Sequence, residues 1–310
     1  MMALLKALWK LRPPGEPEPP GARLLRRWRE KHLLKRLERE WPGGFTLHRT
    51  GDLIYVPSPL DVRGRQALLH PPRVHPAVLG FLSPGAVVID IGANLGEWTV
   101  PLARAVGPAG RVLAIEPVPR TAAALEATLA ANALRHAEVL RCAVSDHDGS
   151  AELAMPIVTS ARIDTGTARV GPACAGHEAL RVPLRRLDSL AAELRLDRLD
   201  LIKIDVEGHE HQVLDGTAGI LARWRPVLVV ETGHEAKGSR AAIHDRLQAL
   251  GYRMLGILLD YGMAAADWPA YGALKSPFSA GDAHNLLLVP INRASGGRPG
   301  PQRAPGPSPR

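Results

Sequence analysis

Short, unbroken apolar runs punctuate this chain, and between them apolar residues recur at helical spacing. The runs at 86–91, 111–116, 137–144, 199–205 and 226–231 are built from Val, Ile, Leu and Ala, as expected of strands buried on both faces. Helices are predicted between them, from about Glu97 to Val106 and over 120–133, 209–222 and 238–250. Such alternation predicts an α/β fold, a mostly parallel sheet with right-handed crossovers and helices on both faces. It is interrupted at 149–186, where Gly149–Met155 and Leu180–Leu184 suggest a strand pair around a polar loop. Strands at 252–259 and 285–290 close the sheet, the returning strand reading as a reversed, antiparallel edge.

The pattern also sets the divisions of the chain. Residues 42–85 form a β-rich lead-in, Phe45–His48 and Leu53–Val56, then proline-broken chain and the end of a helix at 77–82. Residues 1–41 form an arm in which 22–40 read as a basic amphipathic helix, with Leu24, Leu25, Trp28, His32, Leu33 and Leu37 on one face. The Gly/Pro/Arg stretch 292–310 is expected to be disordered. The domain proper is therefore 86–291.

Charge matters mainly through its placement. Of the net +8, residues 1–41 carry eleven Lys/Arg against five Glu, and 292–310 carry four Arg and no acid, which leaves −2 for residues 42–291. The body is not basic, so nucleic acid is not an expected partner. The arm suits either packing on the domain's flank or peripheral contact with an anionic membrane face. Cys142 and Cys174 make no disulfide framework, and no apolar run is long enough to span a bilayer. A cytoplasmic setting, with attachment at the inner membrane face through residues 1–41, fits these features.

The first candidate site is Asp90-Ile-Gly92-Ala-Asn94-Leu-Gly96, a buried strand feeding a Gly-rich turn and a helix N-terminus. The glycines would let a ligand approach the backbone, and the unpaired helix N–H groups would meet it. The spacing differs from the Gly-x-Gly-x-x-Gly of dinucleotide folds, and Asp90 aims a carboxylate at the crevice, which suits a cationic ligand better than a pyrophosphate. Glu116 ends the next strand, 20 residues after Gly96, where a carboxylate takes ribose hydroxyls. An adenosine-bearing cofactor is the expectation, with a nicotinamide-dependent oxidoreductase or a non-catalytic membrane-associated binding protein as rivals.

The second is Lys203-Ile-Asp205-Val-Glu207-Gly-His209-Glu210. Asp205 ends a strand and should face the same crevice as Asp90 and Glu116. Glu207 and His209 follow in the loop, Lys203 either points outward or pairs with a nearby acid, and Glu210 and His211 are expected on an exposed helix face. The spacing is not a His-x-x-x-His metal signature, and no metal is assigned.

Together with Ile115-Glu-Pro, Ala143-Val-Ser-Asp…Gly149, Leu187-Asp-Ser-Leu and Leu214-Asp-Gly216, these motifs resemble the FkbM family of S-adenosylmethionine-dependent methyltransferases over roughly residues 80–235. The resemblance implies a class I methyltransferase (Rossmann-like) fold of seven strands, the last antiparallel. It also implies O-methylation of a small-molecule, sugar or glycan hydroxyl, with S-adenosyl-L-methionine as cofactor. It carries Asp90, Gly92, Asn94, Gly96 and Glu116 to the cofactor site. Ala143 and Ser145 join them beside the adenine, where the strand-end acid of many class I enzymes is missing. Lys203, Asp205, Glu207 and His209 go to the reaction crevice, with Asp205, Glu207 or His209 as the general base.

Overall fold

The computed structural model describes residues 43–47, 51–58, 74–159, 162–163, 168–232, 239–259, 262–264, 267–268 and 284–291, with His32, Arg36 and Arg39 besides. The rest of the basic arm, the proline-broken stretch with His70, His48 and the C-terminal tail lie outside the described residues.

The central sheet runs in the order β5 (Ala137–Leu140), β4 (Arg111–Ile115), β3 (Val87–Ile91), β11 (Leu201–Ile204), β12 (Val227–Thr232), β15 (His284–Pro290), β13 (Tyr252–Leu259) and β14 (Gly262–Ala264). From β5 to β12 every pairing is parallel, and β15 is antiparallel to both its neighbours. The first seven strands are the expected sheet. The reversed strand is not its edge, however: β15 is inserted between β12 and β13, and a short hairpin partner, β14, covers the outer side of β13. The reason is compositional, since Leu286, Leu287 and Leu288 are all fully buried and need layers on both faces.

Alternate side chains of each strand feed two cores. Ile89, Ile202 and Leu228 face α4 (Leu187–Glu193), α5 (Glu210–Asp215), α6 (Ala218–Trp224) and α7 (Ser239–Ala249). Val88, Leu201 and Val229 face α1 (Pro76–Leu79), α2 (Thr99–Val106) and α3 (Pro119–Ala131). The lead-in hairpin, β1 (Gly44–Leu47) and β2 (Leu53–Val56), docks on the second face. There Asn132 and Thr128 accept hydrogen bonds from the Leu53 and Tyr55 amides at 2.9 Å each, satisfying an otherwise open strand edge.

Two expected elements are broken. The strand expected over 137–144 ends at Leu140, and Ala143–Val144 (β6) pairs instead with β10 (His177–Arg185) in a second, five-stranded sheet. That sheet is the insertion expected at 149–186: β7 (Gly149–Thr159) runs antiparallel to β10, and the short strands β8 (Arg162–Ile163) and β9 (Arg169–Val170) pair with β7. The helix expected over 209–222 splits into α5 and α6 at Gly216, where an added Cβ would stand 1.9 Å from the Ser145 carbonyl oxygen. That close approach fixes the β6 segment against the crevice.

Candidate active site

The glycines of the first motif are required by packing. Gly92 and Gly96 hold left-handed backbone, φ +81° and +99°. A Cβ on Gly92 would lie 1.8 Å from the Asp205 carbonyl oxygen, and one on Gly96 would lie 2.7 Å from Leu125 Cδ1. Packing of the second motif's loop and of α3 therefore demands them, before any ligand does. Asn94 shares the left-handed conformation at φ +50°, and its amide donates to Glu116 Oε2 at 3.0 Å. The Val118 amide donates to Glu116 Oε1 at 2.9 Å. Burial pushes the Glu116 carboxyl up to about 7 against those two bonds, with Asp90 and Asp205 adding to the rise.

Asp90 is fully buried on the α2 side of β3. Thr99 donates to its Oδ2 at 2.6 Å, while Oδ1 has no hydrogen-bond partner among the described residues. Burial raises its pKa, chiefly opposed by Lys203. Lys203 stands beside Asp90 in the β3–β11 register, is 1% exposed, and its Nζ lies 2.8 Å from Asp205 Oδ2 and 5.3 Å from the centre of the Trp98 ring. Of the two expected orientations, it takes the inward, paired one. Burial works to lower its pKa, but Asp205, Asp90 and Glu231 together outweigh it and hold the ammonium charged.

The second motif is divided by the structure. Carboxylate oxygens of Asp205 and Glu207 lie within 4.8 Å of one another and of Glu231, close enough to share a divalent cation. Glu207 is buried with φ +54°, a conformation a non-glycine residue holds only where packing dictates it. His209 is not in that group: its Nε2 lies 3.0 Å from Ser145 Oγ. Glu210 is not on an exposed face as expected. It is 3% exposed, and its Oε1 accepts from the Gly208 amide at 3.0 Å, closing the turn into α5. Only His211 of that pair is solvent-facing, 3.2 Å from Asp215. Ala143 belongs to the same buried apolar cluster as Val118, two residues beyond Glu116.

Glu231 was missed by sequence reasoning, although the signal was present: it lies in β12 two residues beyond Val229, the partner of Lys203, just as Asp205 lies two residues beyond Lys203. Thr99 and Trp98 carried no motif at all.

The strand ends thus form one crevice with a half-satisfied buried carboxylate at Asp90 and, at Glu116, a carboxylate clamped by two amides yet still able to accept hydroxyls. That donor set fits the cationic methionine portion and the ribose of S-adenosylmethionine, and the strand order is that of class I methyltransferases. The Methyltransferase FkbM domain profile matches residues 90–254. The chain is 30% identical over 202 residues to the 31-O-demethyl-FK506 methyltransferase FkbM of Streptomyces tacrolimicus, covering 56% of this chain and 75% of that protein. It is 30% identical over 192 residues to methyltransferase sdnD of Sordaria araneosa, covering 53% and 73%. It is also 30% identical over 209 residues to the AMB antimetabolite synthetase AmbE of Pseudomonas aeruginosa, 54% of this chain but 9% of that much longer protein. The chain belongs to the FkbM methyltransferase family. Its cofactor is S-adenosylmethionine, and the nicotinamide rival falls with that assignment. Among the described residues no helix is long and apolar enough to cross a membrane.

Proposed function

We propose that this chain transfers the methyl group of S-adenosylmethionine to a hydroxyl of a sugar, glycan or secondary-metabolite acceptor, with Asp205 as the group that receives the proton. The observation that carries the reading is the Lys203–Asp205 pair at 2.8 Å, set beside Asp90 at the meeting of the two motifs. The cofactor, when bound, supplies a sulfonium methyl that is already a strong electrophile. What remains for the protein is positioning and proton removal. The acceptor hydroxyl would be held in line with that methyl group and would pass its proton to the Asp205 carboxylate as the methyl is transferred. Holding the reacting pair in near-attack geometry supplies about 7–11 kcal/mol of the barrier, and a general base contributes a further factor of roughly 10²–10⁴.

Lys203 donates to Asp205 and fixes its orientation. Asp90 would meet the cationic methionine portion of the cofactor, Glu116 the ribose, and Glu207 and Glu231 would accept further acceptor hydroxyls. The relative named 31-O-demethyl-FK506 methyltransferase supports oxygen as the methylated atom. The charge excess of residues 1–41 supports peripheral contact with anionic membrane.

The test is a labelled-methyl screen of extract fractions from cells lacking the gene. The expected product is a methyl ether that survives alkaline hydrolysis. Label found on nitrogen, carbon or an ester would overturn the reading.

A further inference from the structure

Ser145 and His209 are joined in the structure although the sequence assigned them to different tasks. Ser145 is 1% exposed, and its Oγ lies 3.0 Å from both Asp146 Oδ1 and His209 Nε2. A hydroxyl has a single hydrogen, so the direction of this chain can be worked out. The hydrogen bond from His147, 2.7 Å away, holds the Asp146 carboxyl below its usual range despite slight burial, and Ser145 assists. An ionised carboxylate only accepts. The Ser145 hydrogen therefore points to Asp146, and its oxygen accepts from His209 Nε2–H. In the neutral ring Nδ1 is then left as a bare acceptor. Burial disfavours the charged ring, with Asp146 opposing and His147 reinforcing that effect. Two further charged groups nearby are already engaged, Arg186 with the Asp146 carbonyl oxygen at 2.6 Å and Glu210 with the Gly208 amide.

With Glu116 as the proposed ribose acid, Asp90 and the Lys203–Asp205 pair lie on one side of it, toward β3 and β11. On the other, Val118 shares a buried apolar cluster with Ala143, two residues before Ser145, and the 205–209 loop brings His209 to Ser145. A nucleoside held by its ribose at Glu116 has its sulfonium arm and its base on opposite sides of the sugar. By the strand order, Val118, Ala143, Ser145 and His209 fall on the base side.

We infer that His209, oriented by Ser145, reads the exocyclic amine of the cofactor's adenine through Nδ1, and is a cofactor-specificity residue and not the general base. The inference rests on the cofactor assignment and is independent of the acceptor's identity. An adenine amine donates to a bare nitrogen, whereas the carbonyl of hypoxanthine at the same position would face it lone pair to lone pair.

The experiment is calorimetric titration of the full chain with S-adenosylhomocysteine and its inosine counterpart, at a pH where the ring is neutral. The wild type should prefer the adenosine compound by about tenfold or more, the size of one well-placed hydrogen bond. His209→Ala should bring the two affinities within about threefold by weakening the adenosine compound. Ser145→Ala, a small change that frees the ring to swap tautomer, should narrow the gap by strengthening the inosine compound. An unchanged preference in His209→Ala, or a loss confined to turnover with both affinities intact, would overturn the inference and return His209 to the role of base. Wild-type protein that binds neither compound would overturn the cofactor assignment and this inference with it.

Discussion

Cofactor binding should be linked to a proton through Glu116. Its carboxyl is buried, clamped by the Asn94 and Val118 amides, and pushed up to about 7. Ribose hydroxyls donate to an ionised carboxylate, so binding requires the deprotonated form. Near pH 6 only about a tenth of the sites would be ionised, and affinity should fall roughly tenfold, ~1.4 kcal/mol, relative to about pH 8. The same shift bears on the cofactor-free fold. A carboxyl whose folded pKa is raised from 4.5 to about 7 favours folding at low pH. That contribution is full below the unfolded pKa and is lost as pH rises through the folded one, ~3 kcal/mol in all on an order-of-magnitude basis. Glu116→Gln should therefore flatten the pH dependence of affinity and stabilise the cofactor-free protein more at pH 8 than at pH 5. The assay is calorimetry with S-adenosylhomocysteine at about pH 6 and about pH 8, each in two buffers of different ionisation enthalpy, so that proton release is read directly. Equal affinities and no proton release at the lower pH would refute the reasoning.

Gly92→Val should cost far more than cofactor affinity, because its side chain would occupy the place of the Asp205 carbonyl oxygen. Loss of cooperative thermal unfolding is expected, and a stable variant with weakened cofactor binding would contradict the packing argument. Lys203→Met leaves Asp205, Asp90 and Glu231 without their buried counter-charge and should destabilise by about 3–5 kcal/mol in urea unfolding. A loss under about 1 kcal/mol would show that the pair behaves as a surface one. Deleting residues 1–41 should lower binding to anionic liposomes in a sedimentation assay while cofactor affinity holds; aggregation of the truncated protein would instead mean that the arm packs on the domain.

What the sequence disclosed about the fold was the part set by periodicity. Buried parallel strands are continuous apolar runs, so β3, β4, β11 and β12 were placed within a residue or two. What escaped was set by tertiary contact. The break at Gly216 depends on the Ser145 carbonyl, and the insertion of β15 between β12 and β13 depends on which edge is covered, neither of which leaves a local trace. At the site, residues on motifs were legible and residues placed by register were not. Asp90, Glu116 and Asp205 stand at strand ends that chain order alone reveals, whereas the division of the second motif follows the path of the 205–209 loop over Gly92. Glu210 was misjudged because its neighbours read as a helix start, and the demand of the Gly208 amide for a partner cannot be read from composition.

The central claim is that the Asp205 carboxylate takes the proton from the acceptor hydroxyl. It is tested most directly by single-turnover methyl transfer with Asp205→Asn at saturating cofactor, on the acceptor fraction that the wild type labels. The expected rate is lower by roughly 10²–10⁴ with S-adenosylmethionine affinity within about threefold of wild type, the signature of a group that acts in the transition state. A variant that turns over at close to the wild-type rate would contradict it.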